Sequence, residues 1–318
     1  MGKQLDGLKY EFTWAMMLSC AKGCLNYWKR DVSLPWLFGC TGHAFVINIH
    51  EVVCPSSPTA WHYGPVISEL PPNIGYSLTG VHGMAHLGHD MDAKRAEAWD
   101  FVRRNIDEGV PCYGWELEYP DFYLINGYDD AGYKYVPHEG GAAAHKPWGE
   151  LGDSEIGMLE VNALRLCDPK PDAIAVREGL RFALHVATNP PGVIFDKYAS
   201  GVKAFEVWAE ALEAGRANKF GQGYNAGFWA DCRARGVDFL AEAKARLTGA
   251  ADDLFDKATE HFTVVRDKLK AVSAMHPFNM ADHGEATVTS PEAAALIREA
   301  GKAEGEGLSI LQRIVDRL

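Results

Sequence analysis

The chain has 318 residues, 47% hydrophobic and 23% charged, which is enough apolar material for a real core and excludes disorder throughout. Its 43 acidic and 31 basic residues leave a net charge of −12, which repels nucleic acid and anionic membrane and argues against both as partners. No uncharged apolar run reaches the ~18 residues of a membrane span, the first residues lack a signal-peptide pattern, and seven scattered cysteines point to a reducing cytoplasm.

In chain order, a helix ending near Trp28 is expected first, followed by a strand over His43–His50 with Phe45, Ile47 and Ile49 on one face. A helix over about Asp92–Glu108 follows, then a strand over Cys112–Glu118 punctuated by Pro120. Phe122–Tyr128 is a further strand, and Asp129-Asp130-Ala131-Gly132 turns it into Tyr133–Val136, with Gly132 able to take the positive φ of the loop. Ile156–Val161 closes the set. This half predicts an antiparallel or mixed sheet with helices beside it. After Cys167 the period becomes helical. Val176 to Ala187 forms one helix, ended by Pro190-Pro191. Phe228 to Leu247 and Leu254 to Val272 form two long ones joined at Thr248-Gly249-Ala250, and Leu308 to Leu318 a last short stripe. The expected class is α+β, divided into an α+β domain over 1–167 and an α-helical domain or lid over 168–318.

Several motifs could carry chemistry. Gly221-Gln222-Gly223-Tyr224-Asn225-Ala226 matches a dinucleotide fingerprint, but Ala209 to Asn218 reads as helix, so the required strand is missing and a tight interhelical turn is expected instead. His82, His86 and His89 are spaced to share a helix face and hold a metal, but Gly83 and Gly88 weaken any helix there. A solvated histidine-bearing loop is the better reading, so neither a metal nor another cofactor is expected. His50-Glu51-Val52-Val53-Cys54 follows the zincin pattern only to its fourth residue. Cys20 and Cys24 are one helical turn apart. If the helix starts near Ser19, its dipole favours the Cys20 thiolate and makes Cys20 a nucleophile; if it starts at Thr13, Cys20 is a buried, inert thiol. Cys40, beside His43 in a glycine-flanked turn, is a weaker rival.

The order of these pieces resembles a known family. A cysteine opens a helix ending Leu25-Asn26-Tyr27, followed by Asp31–Leu37, Gly39–Phe45, Val110-Pro111-Cys112-Tyr113-Gly114-Trp115 and a strand into Gly127-Tyr128-Asp129-Asp130. This order resembles the papain-like peptidases that process double-glycine leader peptides, and more closely the amino-terminal domain of the butirosin biosynthesis protein H group. The likeness spans roughly residues 14 to 165, with Thr41–Phe45, Cys54-Pro55-Ser56 and Tyr224-Asn225 as further shared pieces.

The resemblance implies a papain-like fold with Cys20 as nucleophile and a histidine six residues before Gly127 as base. This sequence has Asp121 there instead, and Asn126 and Asp129 follow. A carboxylate beside a thiol raises the thiol pKa and cannot form the cysteine–histidine ion pair. Either His43, His138 or one of His82 to His89 then supplies the base, or Asp121 does a different job, or the site is a retired one. Asp121 is expected near the start of the Cys20 helix.

Three functions are weighed. The first is a papain-like cysteine acyltransferase or an amide or thioester hydrolase acting on a small metabolite, with Cys20, Asp121, His43 and Asn126 in the catalytic set and, by analogy, an acyl carrier as partner. The second keeps the cleft as a small-molecule binding module without the chemistry. Trp14, Trp115, Tyr123, Tyr224 and Asn225 are the candidate ligand contacts, although core packing accounts for most aromatic residues. A metal-dependent hydrolase built on His82, His86 and His89 is a third and weaker reading.

Overall fold

A computed structural model describes residues 2–318. In chain order its elements are β1 (Lys3–Gln4), α1 (Met16–Tyr27), α2 (Leu34–Cys40), β2 (Asn48–His50) and α3 (Gly64–Ser68). Then come β3 (Tyr76–Met84), α4 (Met91–Asp107), β4 (Cys112–Trp115), β5 (Phe122–Asp129), β6 (Gly132–Tyr135), β7 (Ala144–Pro147) and β8 (Met158–Leu166). The remainder is α5 (Asp172–Ala187), β9 (Tyr198–Ser200), α6 (Val202–Glu213), β10 (Ala217–Asn218), α7 (Lys219–Arg246), α8 (Asp252–Met275), β11 (Thr287–Val288) and α9 (Pro291–Arg317). The class is α+β with a helical C-terminal region.

Two compact units divide the chain. The first is the chain through Val32 together with Gly75–Asp168; the second is Ser33–Ile74 with Pro169–Leu318. The chain passes from the first unit to the second at Asp168, and Ser33–Ile74 groups with the helices and not with the sheet. Its packing explains why. Gly39 of α2 lies so close to α7 that a Cβ there would be 2.0 Å from the Phe239 ring, and Trp36 packs on the same ring.

In the first unit a seven-stranded sheet runs β3-β8-β4-β5-β6-β7, with β1 paired to β5. Every pairing is antiparallel. One face is dry. Ile125, Tyr123, Val161 and Ala163 pack there with Ala98, Val102 and Ile106 of α4. The β5–β6 hairpin turns at Gly132, which takes φ +155°. Strand β3 is nine residues long and pairs along its whole length with β8, putting Gly80 opposite Asn162 and His82 opposite Glu160. The expected histidine-bearing loop is therefore a strand at His82, a short 3-10 turn at His86 and a helix approach at His89.

In the second unit α7, α8 and α9 pack side by side, and α6 lies against α9. The last helix begins at Pro291, well before the expected Leu308 stripe, because Ala294, Ile297, Ala300 and Ala303 extend the buried face backwards. The expected strand from His43 is cut to Asn48–His50. Gly42 at φ +72° starts a 3-10 turn over His43–Phe45. The carbonyls of Ala44, Phe45 and Val46 go to the Arg233 guanidinium, so no neighbouring strand can claim them. The glycines of the Gly221 motif are not in a turn either. Both lie in the first turns of α7, where a Cβ on Gly221 would be 1.9 Å from the Val53 carbonyl and one on Gly223 2.9 Å from Phe278. They permit close packing. The strand before them, β10, is two residues long and pairs antiparallel with β11, so the motif still lacks its parallel sheet.

Candidate functional site

Helix α1 begins at Met16, between the two starts considered for it. Ser19 does not cap it. Its hydroxyl instead accepts from the Thr13 N–H at 2.8 Å and lies 3.0 Å from the Thr13 hydroxyl, pinning the approach to the helix. Cys20 is therefore the fifth helical residue, past the first turn where the dipole is strongest. It is fully buried. Burial pushes its thiol pKa well up, and Cys24 and Asp121 add to the rise. Each of these effects disfavours the thiolate, and no cation offsets them.

The Asp121 charge acts on the Cys20 thiol and raises its pKa. Asp121 ends the tight β4–β5 connection, where its carbonyl accepts from Glu116 N–H at 2.8 Å and Glu116 takes φ +57°. Its own carboxylate accepts from the Phe122 N–H at 2.8 Å. Half-buried among packed rings, the carboxyl is raised to about 7 by desolvation, partly offset by that backbone bond. At neutral pH it is thus a mixture of acid and carboxylate. Because the folded value lies above the ordinary 3.8, ionisation favours the unfolded chain as pH rises from about 4 to 7. Asp121→Asn should therefore raise the thermal midpoint by several degrees at pH 8 and leave it nearly unchanged at pH 4, read by calorimetry at the two pH values.

Tyr10 and His138 complete this corner, and Tyr10 had no periodicity around it to mark it. Beyond the end of β6, the Tyr10 hydroxyl accepts from Leu124 N–H at 2.9 Å and donates to the Val136 carbonyl at 2.8 Å. His138 stacks on Tyr123 with ring centroids 4.0 Å apart, and its Nε2 lies 3.0 Å from the Phe122 carbonyl. A carbonyl only accepts, so Nε2 carries the proton. Burial lowers the His138 pKa, against the pull of the Phe122 carbonyl and Glu118, so the ring is neutral and Nδ1 holds the lone pair.

The other candidates are placed as follows. Trp14 is half-buried on the approach to α1. Trp115 is buried with its ring 5.2 Å from Phe122, and its indole N–H has no partner. Asn126 stands five residues along β5 from Asp121, about 16 Å at the ~3.3 Å rise of a strand. It is buried, and its side-chain oxygen has no partner. His43 belongs to the second unit, enclosed by Phe38, Trp61 and Phe228 with neither ring nitrogen bonded. Desolvation, helped by the Arg233 charge, lowers its pKa to about 4. In the same unit Tyr224 packs between Phe228 and Phe278, and Asn225 holds the Cys54 and Gly221 carbonyls while accepting from Trp229.

The histidine group does not converge. His82 Nδ1 lies 3.8 Å from Glu160, and His89 Nδ1 accepts from Met84 N–H at 2.9 Å. Among the described residues no three His, Cys, Asp or Glu side chains gather as a metal site. Among the described residues no helix is long and apolar enough to cross a membrane. Compared with models of known families and with curated proteins, the chain matches none.

Proposed function

We propose that the first unit is a papain-like module that binds a small molecule at the Cys20–Asp121 corner without forming an acyl-thiol. The observation that carries this reading is the environment of Cys20: a sealed thiol, past the first helical turn, next to a carboxyl and not an imidazole. A cysteine nucleophile needs its thiolate, and every neighbour that moves this pKa moves it upward. Asp121, by contrast, is only half-buried, and Trp14, likewise half-buried on the approach to α1, is a candidate contact. The seven thiols are all unpaired, which supports a reducing, cytoplasmic setting. Incubation with a small acyl thioester, followed by intact-mass measurement and peptide mapping, tests the reading. The expected result is no acyl adduct on Cys20. An adduct mapped to Cys20 would restore the acyltransferase or hydrolase, with an acyl carrier as the natural donor.

A further inference from the structure

One edge of β5 is finished by side chains. Strand β6 pairs with β5 only from Ile125 onward, and Phe122 lies beyond that pairing. The N–H and C=O of a strand residue point to the same neighbour, so Phe122 presents both groups to the gap. The Asp121 carboxylate takes the N–H and the His138 Nε2–H takes the carbonyl. An acid and an imidazole are thereby anchored on the two main-chain polar groups of a single residue, both half-buried, with Tyr10 taking the next outward N–H, at Leu124.

We propose that Asp121 and His138 are an acid–base pair that hydrolyses small carboxylic esters by proton transfer alone. This rests on the reading of the same corner as a small-molecule site. His138 Nδ1, its lone pair free, takes a proton from water as the water oxygen bonds to the ester carbonyl carbon. The C–O bond to the alcohol then breaks, and the departing alkoxide takes the Asp121 proton. The proton held on His138 returns to the Asp121 carboxylate through solvent, which restores both groups. Water and ester go in, acid and alcohol come out, and no bond forms to the protein. The environments agree with these roles, since burial raises the carboxyl to about 7 and lowers the imidazole, the separation that assigns an acid and a base. The titratable groups facing the pair are Tyr10 from the N-terminal segment, Cys20 of α1, Glu118 of the β4–β5 connection and Tyr123 of β5.

The probe is ethyl acetate, whose alkoxide cannot leave without taking up a proton, followed at the release of ethanol from pH 5 to 9. Turnover needs neutral His138 and protonated Asp121, so the rate should form a bell falling above about pH 7, with no initial burst. Surface imidazoles and hydroxide give instead a rate that does not fall at alkaline pH. Asp121→Asn keeps an oxygen for Phe122 N–H and should lower the rate ~100-fold; His138→Gln should do the same. His82→Gln, on an exposed histidine, should leave it unchanged. A rate that rises through pH 9, or survives in both variants, overturns the acid–base pair while leaving the silent thiol standing. A burst with acyl-Cys20 overturns the silent thiol instead.

Discussion

Replacing Arg233 with methionine is expected to destabilise the second unit by about 3–5 kcal/mol, the cost of leaving a buried partner charge uncompensated. Arg233 and Glu304 are both fully buried, joined by bonds of 2.9 and 2.6 Å from Nε and Nη2. The same guanidinium holds Ala44 and Val46 carbonyls at 2.8 and 3.0 Å. The double variant Arg233→Met with Glu304→Leu removes the orphaned carboxylate, so it should recover part of the loss. It should not recover all of it, because the carbonyls of the His43–Phe45 turn stay unpaired. Urea unfolding of the two variants reads the difference. Equal stability of wild type and Arg233→Met would contradict the role given to this pair.

The second large effect is acid lability through His43. Its folded value of about 4 lies below the ordinary 6.5. The unfolded chain therefore binds a proton first as pH falls. The stability that the neutral ring retains is fully present above pH 6.5 and is lost progressively down to about pH 4. The shift corresponds to about 3 kcal/mol at ~1.4 kcal/mol per unit. His43→Phe removes the titration, and because neither ring nitrogen is bonded, it leaves no partner orphaned. The variant should match or exceed wild-type stability at pH 7 and exceed it by most of that 3 kcal/mol at pH 4. Parallel stability curves over this range would show that His43 is protonated in the fold.

Much of the architecture was legible in the sequence because short-range pattern and long-range packing agree there. Phe122 to Tyr128 is apolar on both faces and is followed by a turn only glycine completes, so the hairpin could be read directly. The α7 and α8 stripes bury the residues their spacing selects, Phe239, Leu240 and Ala243 against Phe262, Val265 and Leu269. Strand β3 was not legible. Its Gly80 looks like a breaker, yet it is required because a Cβ would be 2.4 Å from the Asn162 side-chain oxygen. The turn at His43 was not legible either, since Arg233, far along the chain, takes its carbonyls. At the candidate site the expected nearness of Cys20 and Asp121 came from the resemblance, while Ser19 drawn back to Thr13 fixed a helix start that propensity leaves open. The placing of Tyr10, Asp121 and His138 depends on main-chain groups of Phe122 and Leu124 that no strand pairs, a property of the sheet and not of any local motif.

The most direct test of the account is the alkylation rate of Cys20 in the native protein. The protein is treated with iodoacetamide from pH 6.5 to 9, and each of the seven cysteines is followed by peptide mass spectrometry, with a urea-unfolded sample as reference. A buried thiol with a raised pKa should stay unmodified across this range, reacting no faster than the chain opens, while half-buried Cys54 and Cys167 label first. Labelling of Cys20 ahead of those two, with a thiolate already present below pH 7, would contradict the silent thiol and make Cys20 an activated nucleophile.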